Sequence, residues 1–323
     1  MASIARLADC LAPTVLRFAE RGEYFDTTPA AVTAKTRQLL LDTFGCILAG
    51  RSAPEVAGLE SEFSSLESGA FSFPGGRRLS VLGAAAVGAV AAGWDGASAA
   101  LGDGDGPGAV AVAALLPQVL ARDVRLDAFV DSLIAGYEVG ARAGLALPGE
   151  SPQRILNAGQ ALAAASAVSH LIGLPGGLRL SAVEAVIGWL SAGLPPGLPH
   201  QGNRVQAAHG AWGSTLAVLS AAGGLQVRQE ALAPKVYPAQ PEENPYRIVD
   251  AALKRHAGAR HVQDCVEIGR VMRDRVRGKT ESISSILIAG DGVMSGARDA
   301  AAPDAAQASR AFALVAGRSE EHT

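Results

Sequence analysis

The stretch TPAAVTAKTRQLLLDTFGCILAG, residues 28–50, decides the fold class. Thr28 suits a helix N-cap, Pro29 the first helical position and Gly50 a stop. Between them Val32, Leu39, Leu40, Phe44, Ile47 and Leu48 recur at the helical period and form one apolar face. The reading is one long amphipathic helix.

Outward from it the same period continues. Ile4–Glu20 places Ile4, Leu7, Ala8, Leu11 and Val15 on one stripe. Further helices are expected at Ala53–Leu66, Ala84–Leu101, Pro107–Arg122, Leu126–Leu147, Leu156–Ile172, Ser181–Ala192 and Val205–Ala222. Gly and Pro clusters punctuate them at Phe73–Gly76, Gly102–Gly108, Leu174–Gly177 and Leu194–Pro199. Helices so rich in Ala and Gly, with few charges even on their outer faces, must pack on several sides. The expectation is a large all-α domain over residues 1–240.

The pattern changes near Pro234. Lys235–Pro238 and Pro241–Pro245 read as an extended crossing segment. Helices Ile248–Ala257 and Val262–Val276 follow, and Ser282–Ala289 alternates like a strand. One strand cannot stand alone, so residues 241–317 read as the start of a smaller, incomplete α/β lid domain. The last six residues, Arg318–Thr323, look like one reading frame of a sequencing-adapter oligonucleotide. They are expected to be a non-native tail, with the natural chain cut near Gly317. Composition alone favours the alternative, an ordinary polar tail.

Composition narrows the function classes. The chain of 323 residues carries 28 Lys and Arg against 31 Asp and Glu, a net charge of -3, which argues against nucleic acid as a partner. Cys10, Cys46 and Cys265 are scattered and form no CxxC pair, so no zinc or Fe–S signature is present. Their sparse spacing and an N-terminus without an apolar core suit a reducing, cytoplasmic setting. Val81–Trp94 is uncharged but too short to cross a bilayer. Residues 155–178 are long enough, yet their Gly, Ser, Asn and His content and Pro175 favour a buried helix with a turn, and no membrane partner. Triads, Walker motifs and strand-bound GxGxxG are absent.

Four segments, taken in order, resemble the 2-methylcitrate dehydratase (MmgE/PrpD) family, which includes cis-aconitate decarboxylase. They are Leu7-Ala8-Asp9, Leu39–Gly50, Gly136-Tyr137-Glu138-Val139-Gly140-Ala141-Arg142, and Lys235-Val236-Tyr237-Pro238 with the helix after it. The resemblance implies a helical domain plus an α/β lid, a homodimer, and no metal or organic cofactor. It implies loss of water or carbon dioxide from a small polycarboxylate. Such chemistry needs a base beside an acidic C–H, an acid for the leaving group, and cations for the carboxylates.

Residue by residue the carry-over is uneven. Asp95, Asp103 and Asp105 stand in the Asp-rich loop and are the candidate carboxylates, in an open register. The alternative there is a Gly-rich turn whose Asp side chains cap the next helix. Gly106 occupies the position of the family's His before Pro107, and Leu156 that of a second His. A calcium site at Asp103-x-Asp105-Gly106 lacks most of its ligands, so no metal is expected. Arg204 stands near the family's Lys-bearing helix start and is read as a carboxylate binder, or else as a solvated first-turn Arg. His209, with His200, is a substitute acid/base candidate; a lone His in an apolar helix is more often a packed residue. His170 reads as a core or helix-end residue, and His256 and His261 as surface positions. Lys235 is the one clean match, catalytic and substrate-binding, and Tyr237 travels with it as a substrate-binding residue. Two other readings stay open: an inactive relative with a binding or assembly role, and an isomerase or epimerase using the same proton abstraction.

Overall fold

Every residue from Gly83 to Ala92 is buried, a ten-residue run of Gly, Ala and Val inside one helix. The computed structural model describes residues 28–67, 69, 76–102, 104–145, 152–191, 200–227, 246–258, 260 and 263–277. In chain order the helices are α1 Ala30–Gly50, α2 Pro54–Leu66, α3 Val81–Ala92, α4 Gly108–Arg122, α5 Leu126–Leu145, α6 Pro152–Leu171, α7 Gly176–Ser191, α8 His200–Ala222 and α9 Gln263–Val276. Strands β1 Ala100–Leu101 and β2 Gly104–Asp105 form the one sheet among the described residues. The all-α expectation holds. The expected helix Ile4–Glu20 and strand Ser282–Ala289 lie outside the described residues.

The chain divides into two compact units. One takes the chain up to Trp94 and Ser98–Leu253; the other takes Asp95–Ala97 and the chain from Lys254 onward. The expected boundary at 240 falls outside the described residues.

In the first unit α3 packs against α1, α2, α4 and α8, and α6 lies against α4, α5, α7 and α8. Small side chains make this possible. An added Cβ at Gly136 would come within 2.4 Å of the Ala163 carbonyl oxygen, and one at Gly140 within 2.4 Å of that of Gly159. The α5 and α6 backbones therefore approach as closely as glycine allows. Ser214 on α8 donates to the Ala161 carbonyl on α6 at 2.7 Å, satisfying a hydroxyl that the core has removed from water.

Several expected boundaries move, each for a physical reason. Pro29, not Thr28, is the N-cap of α1, with extended backbone (φ -58°, ψ 142°) and no side-chain cap. Gly50 ends α1 but supplies no left-handed stop, since the C-cap Arg51 keeps right-handed helical angles. A Cβ at Gly50 would lie 2.1 Å from the Ala91 carbonyl oxygen, so Gly50 serves the crossing of α1 over α3. Ser80 caps α3 by accepting from the Gly83 N–H at 3.0 Å and itself donates to Glu67 at 2.5 Å.

The expected helix Ala84–Leu101 stops nine residues early, at Ala92. After it the chain enters the β1–β2 hairpin, in which Ala100 pairs with Asp105 and Leu101 with Gly104. Gly102 adopts φ +59°, the sign that short hairpin turns require. The expected helix Ile248–Ala257 shrinks to one 3-10 turn, Arg247–Asp250. Beyond it Ala252 exchanges two 2.8 Å backbone hydrogen bonds with Ala100, and strand pairing takes the place of helix.

In the second unit α9 begins at Gln263, whose side chain clasps the preceding loop. Its Oε1 accepts from the Arg255 and His256 N–H groups at 3.2 and 3.1 Å, and its Nε2 donates to the His256 carbonyl at 2.9 Å. His256 is not the surface residue expected. Its side chain is 7% exposed and its Nε2 lies 2.9 Å from Glu267 on α9. That partner holds the Glu267 carboxyl below its ordinary range, chiefly by the hydrogen bond. His261 lies outside the described residues.

Candidate functional site

The first turns of α8 meet the end of α3. The Arg204 guanidinium lies 3.9 Å above the Trp94 ring and donates to the Trp94 carbonyl at 2.6 Å. Stacking plus hydrogen bonding holds the planar cation at a defined place, half-buried. A solvated first-turn Arg is therefore not what the fold contains.

His209 follows Arg204 by five residues, which at 3.6 residues per turn puts the two about 140° apart around α8. The His209 ring accordingly faces α7, where its centroid is 4.5 Å from that of Trp189 with the planes at 55°. It is exposed. The two side chains thus occupy different faces of one helix.

Asp105 sits on β2, half-buried, and β2 lies against α6. It does not cap the next helix, because Pro107 is the N-cap of α4 and no side chain caps it. Gly106 donates its N–H to the Ala99 carbonyl at 2.9 Å. A Cβ there would be 3.1 Å from that oxygen and 3.3 Å from Tyr137 Oη. The backbone is thus close-packed at the position where the family resemblance expects a His. Tyr137 is fully buried, its hydroxyl has no hydrogen-bond partner among the described residues, and burial pushes its ionisation up, with Glu138 and Asp250 adding to the effect.

Asp95 belongs to the second unit, where its carbonyl accepts from the Gly258 N–H at 2.8 Å. Asp103, Lys235 and Tyr237 lie outside the described residues. Among the described residues no group of three His, Cys, Asp or Glu side chains could hold a metal ion.

A polar centre that the sequence reading did not assign lies on α5. Glu138 and Arg142, one helical turn apart, form a buried ion pair. The Glu138 oxygens also accept from the Arg247 and Ile248 N–H groups, each at 2.9 Å, closing the 3-10 turn. Desolvation pushes the Glu138 carboxyl up, and Arg142 and the two N–H groups pull against it. The sequence carries the signal: Glu and Arg four apart are the only charges in the run from Leu133 to Leu145.

The sequence model of the MmgE/PrpD N-terminal domain matches residues 17–236. The chain belongs to the MmgE/PrpD family. No curated protein matches it. Within this MmgE/PrpD chain, the resembling segment Leu39–Gly50 is the half of α1 that crosses α3, with Leu39, Thr43, Ile47 and Gly50 buried. Gly136–Arg142 combines the two close-approach glycines with the Glu138 clamp. Both family segments carry packing. The chemically useful groups placed in the first unit are the Arg204 cation, the Asp105 carboxylate and the His209 imidazole. No described helix is long and apolar enough to cross a membrane.

Proposed function

We infer that this MmgE/PrpD chain is a lyase removing water from a small polycarboxylate of the 2-methylcitrate type. In this reading Arg204, Lys235 and Tyr237 hold substrate carboxylates. One of Asp95, Asp103 and Asp105 takes the proton from the carbon next to a carboxylate. The electron pair forms the C=C bond as the β-hydroxyl leaves, protonated by His209 or another acid, so the products are an unsaturated acid and water. The protein works in the cytoplasm as a homodimer, without metal or organic cofactor. Residues 1–240 form the helical domain, and 241–317 belong to the lid.

The single observation that carries the reading is Arg204. In a chain of this family it is a planar cation, already oriented by Trp94, near the place of the family's Lys. A bidentate fork suits a carboxylate as well as an ammonium does. The departures at Gly106 and Leu156 favour the second reading, an inactive relative that binds a carboxylate without turning it over. An isomerase or epimerase would share only the proton abstraction.

One experiment separates the three. Purified protein is incubated with 2-methylcitrate and citrate in D2O and followed by NMR. An unsaturated product supports the lyase, and deuterium uptake with inversion but no alkene supports the isomerase. Binding with neither leaves the inactive relative. In an active protein, Lys235→Ala should cost on the order of 2–4 kcal/mol of transition-state stabilisation, and an unchanged kcat/KM would remove Lys235 from the site.

A further inference from the structure

The second unit contains a bend, Asp95–Ala97, that lies 157 residues away in sequence from the loop holding it. Asp95–Ala97 is tied down twice. Lys254 Nζ donates to the Gly96 carbonyl at 2.7 Å, and the Gly258 N–H donates to the Asp95 carbonyl at 2.8 Å. Both glycines have positive φ, +60° at Gly96 and +107° at Gly258. A Cβ on Gly96 would lie 3.4 Å from Gly258 Cα, so the two backbones come together where side chains would keep them apart. The loop Lys254–Gly258 is in turn clasped to the start of α9. Gln263 accepts from two of its N–H groups and donates to the His256 carbonyl, and His256 meets Glu267 one turn further on.

We propose that Lys254 and Gln263 are positioning residues for the Asp95 carboxylate. This rests on the reading of Asp95 as an active-site carboxylate in a dehydratase. A short bend whose two consecutive carbonyls are held from outside has little freedom left to swing the side chain it carries. Gln263 supplies the rigidity, because a single amide satisfies four hydrogen-bonding positions at most and here spends all four on one loop, the fourth a 3.5 Å contact from Nε2 to the Gly258 carbonyl. Lys254 transmits it, since its ammonium is the side chain that reaches from that loop to the bend. The carboxylate of Asp95 is then set by residues the Asp-rich segment does not contain.

The test uses the full chain and two readouts that need no substrate. Hydrogen exchange at the Gly258 amide reports whether the loop still holds the bend. The Asp95 13Cγ resonance reports whether the carboxyl keeps one environment. Gln263→Leu and Lys254→Met are expected to speed Gly258 exchange about tenfold or more and to move or broaden the Asp95 line. Lys254→Arg, which can still reach a carbonyl, is expected to restore both. Amides of α5 serve as the control for global unfolding. Unchanged Gly258 exchange in both variants overturns the proposal, and so does faster exchange with an unmoved Asp95 line. Asp95→Asn, assayed for water elimination, tests the underlying reading separately. Full activity there removes Asp95 from the chemistry even where the clasp is verified. A tenfold lower kcat at unchanged KM in Gln263→Leu completes the case in an active protein.

Discussion

The Glu138 carboxylate and the Ile248 backbone N–H meet at 2.9 Å across 110 residues of chain, inside the protein. The same carboxylate holds the Arg247 N–H and the Arg142 guanidinium. Removing it takes a carboxylate partner from a buried cation and from two backbone donors at once. Glu138→Ala should cost about 3–5 kcal/mol, the range for breaking a buried ion pair by one partner. Urea denaturation measures it. A Glu138→Leu/Arg142→Met pair should cost less than the two single changes added, because the two side chains share one interaction that each single change already removes.

Protonation of that carboxyl gives a pH signature. Burial raises Glu138 above the ordinary carboxylate range, so the folded protein holds its proton to higher pH than the unfolded chain does. Its proton-linked contribution is complete below the unfolded value and is lost as pH rises through the folded one. Between about pH 4 and the raised value, wild-type stability should therefore fall with rising pH relative to Glu138→Gln. Denaturation series at matched salt would show it; a flat difference would mean that Arg142 and the two N–H groups fully offset the burial.

Glycine substitutions should sort by space. Gly140→Ala puts a methyl 2.4 Å from the Gly159 carbonyl oxygen and should destabilise by about 1–3 kcal/mol or more, as overpacking does. Gly45→Ala, on the exposed side of α1 with nothing within 4 Å, should stabilise by about 0.5–1 kcal/mol. Thermal melts of the two variants would move in opposite directions.

Arg204 can be separated into charge and geometry. Arg204→Lys keeps the cation but loses the planar fork and the stack on Trp94. If the side chain binds a substrate carboxylate, KM for a polycarboxylate should rise about tenfold in the Lys variant and further in Arg204→Ala, by roughly 1.5–3 kcal/mol in all. Steady-state kinetics, or titration calorimetry if the protein proves inactive, measures it. Equal affinity in all three forms would make the Arg204–Trp94 contact a purely structural one.

The helices were legible because their apolar period is long and their ends are marked by Gly and Pro. The misreadings cluster where long-range pairing wins over local propensity. Ala97–Ala100 looks helical, yet Ala100 is claimed by Asp105 and by Ala252, the latter 152 residues away. Ile248–Leu253 looks helical too, but Glu138 caps one turn of it and strand pairing takes the rest. Gly50 carried a local signal for a stop while its actual reason is the Ala91 carbonyl on another helix. For the site, residue type pointed to Arg204, but its Trp94 platform and the divergence of His209 toward Trp189 depend on which helices lie beside α8. His256 resembles a surface residue in sequence because it stands in a polar stretch, and its burial depends on Glu267 on α9.

Helix α3 is finished only when α8 arrives beside it. Between the end of the first at Ala92 and the start of the second at His200 lie more than a hundred residues of chain. At about 5–20 residues per second, a ribosome needs roughly 5–20 s to deliver them. During that interval the Ala- and Val-lined flank of α3 that faces α8 has no cover, and the nascent chain carries a sticky surface that only its own later synthesis removes. Expression at reduced temperature, or with a holdase present, should therefore raise the soluble yield more than any change to the finished protein's surface.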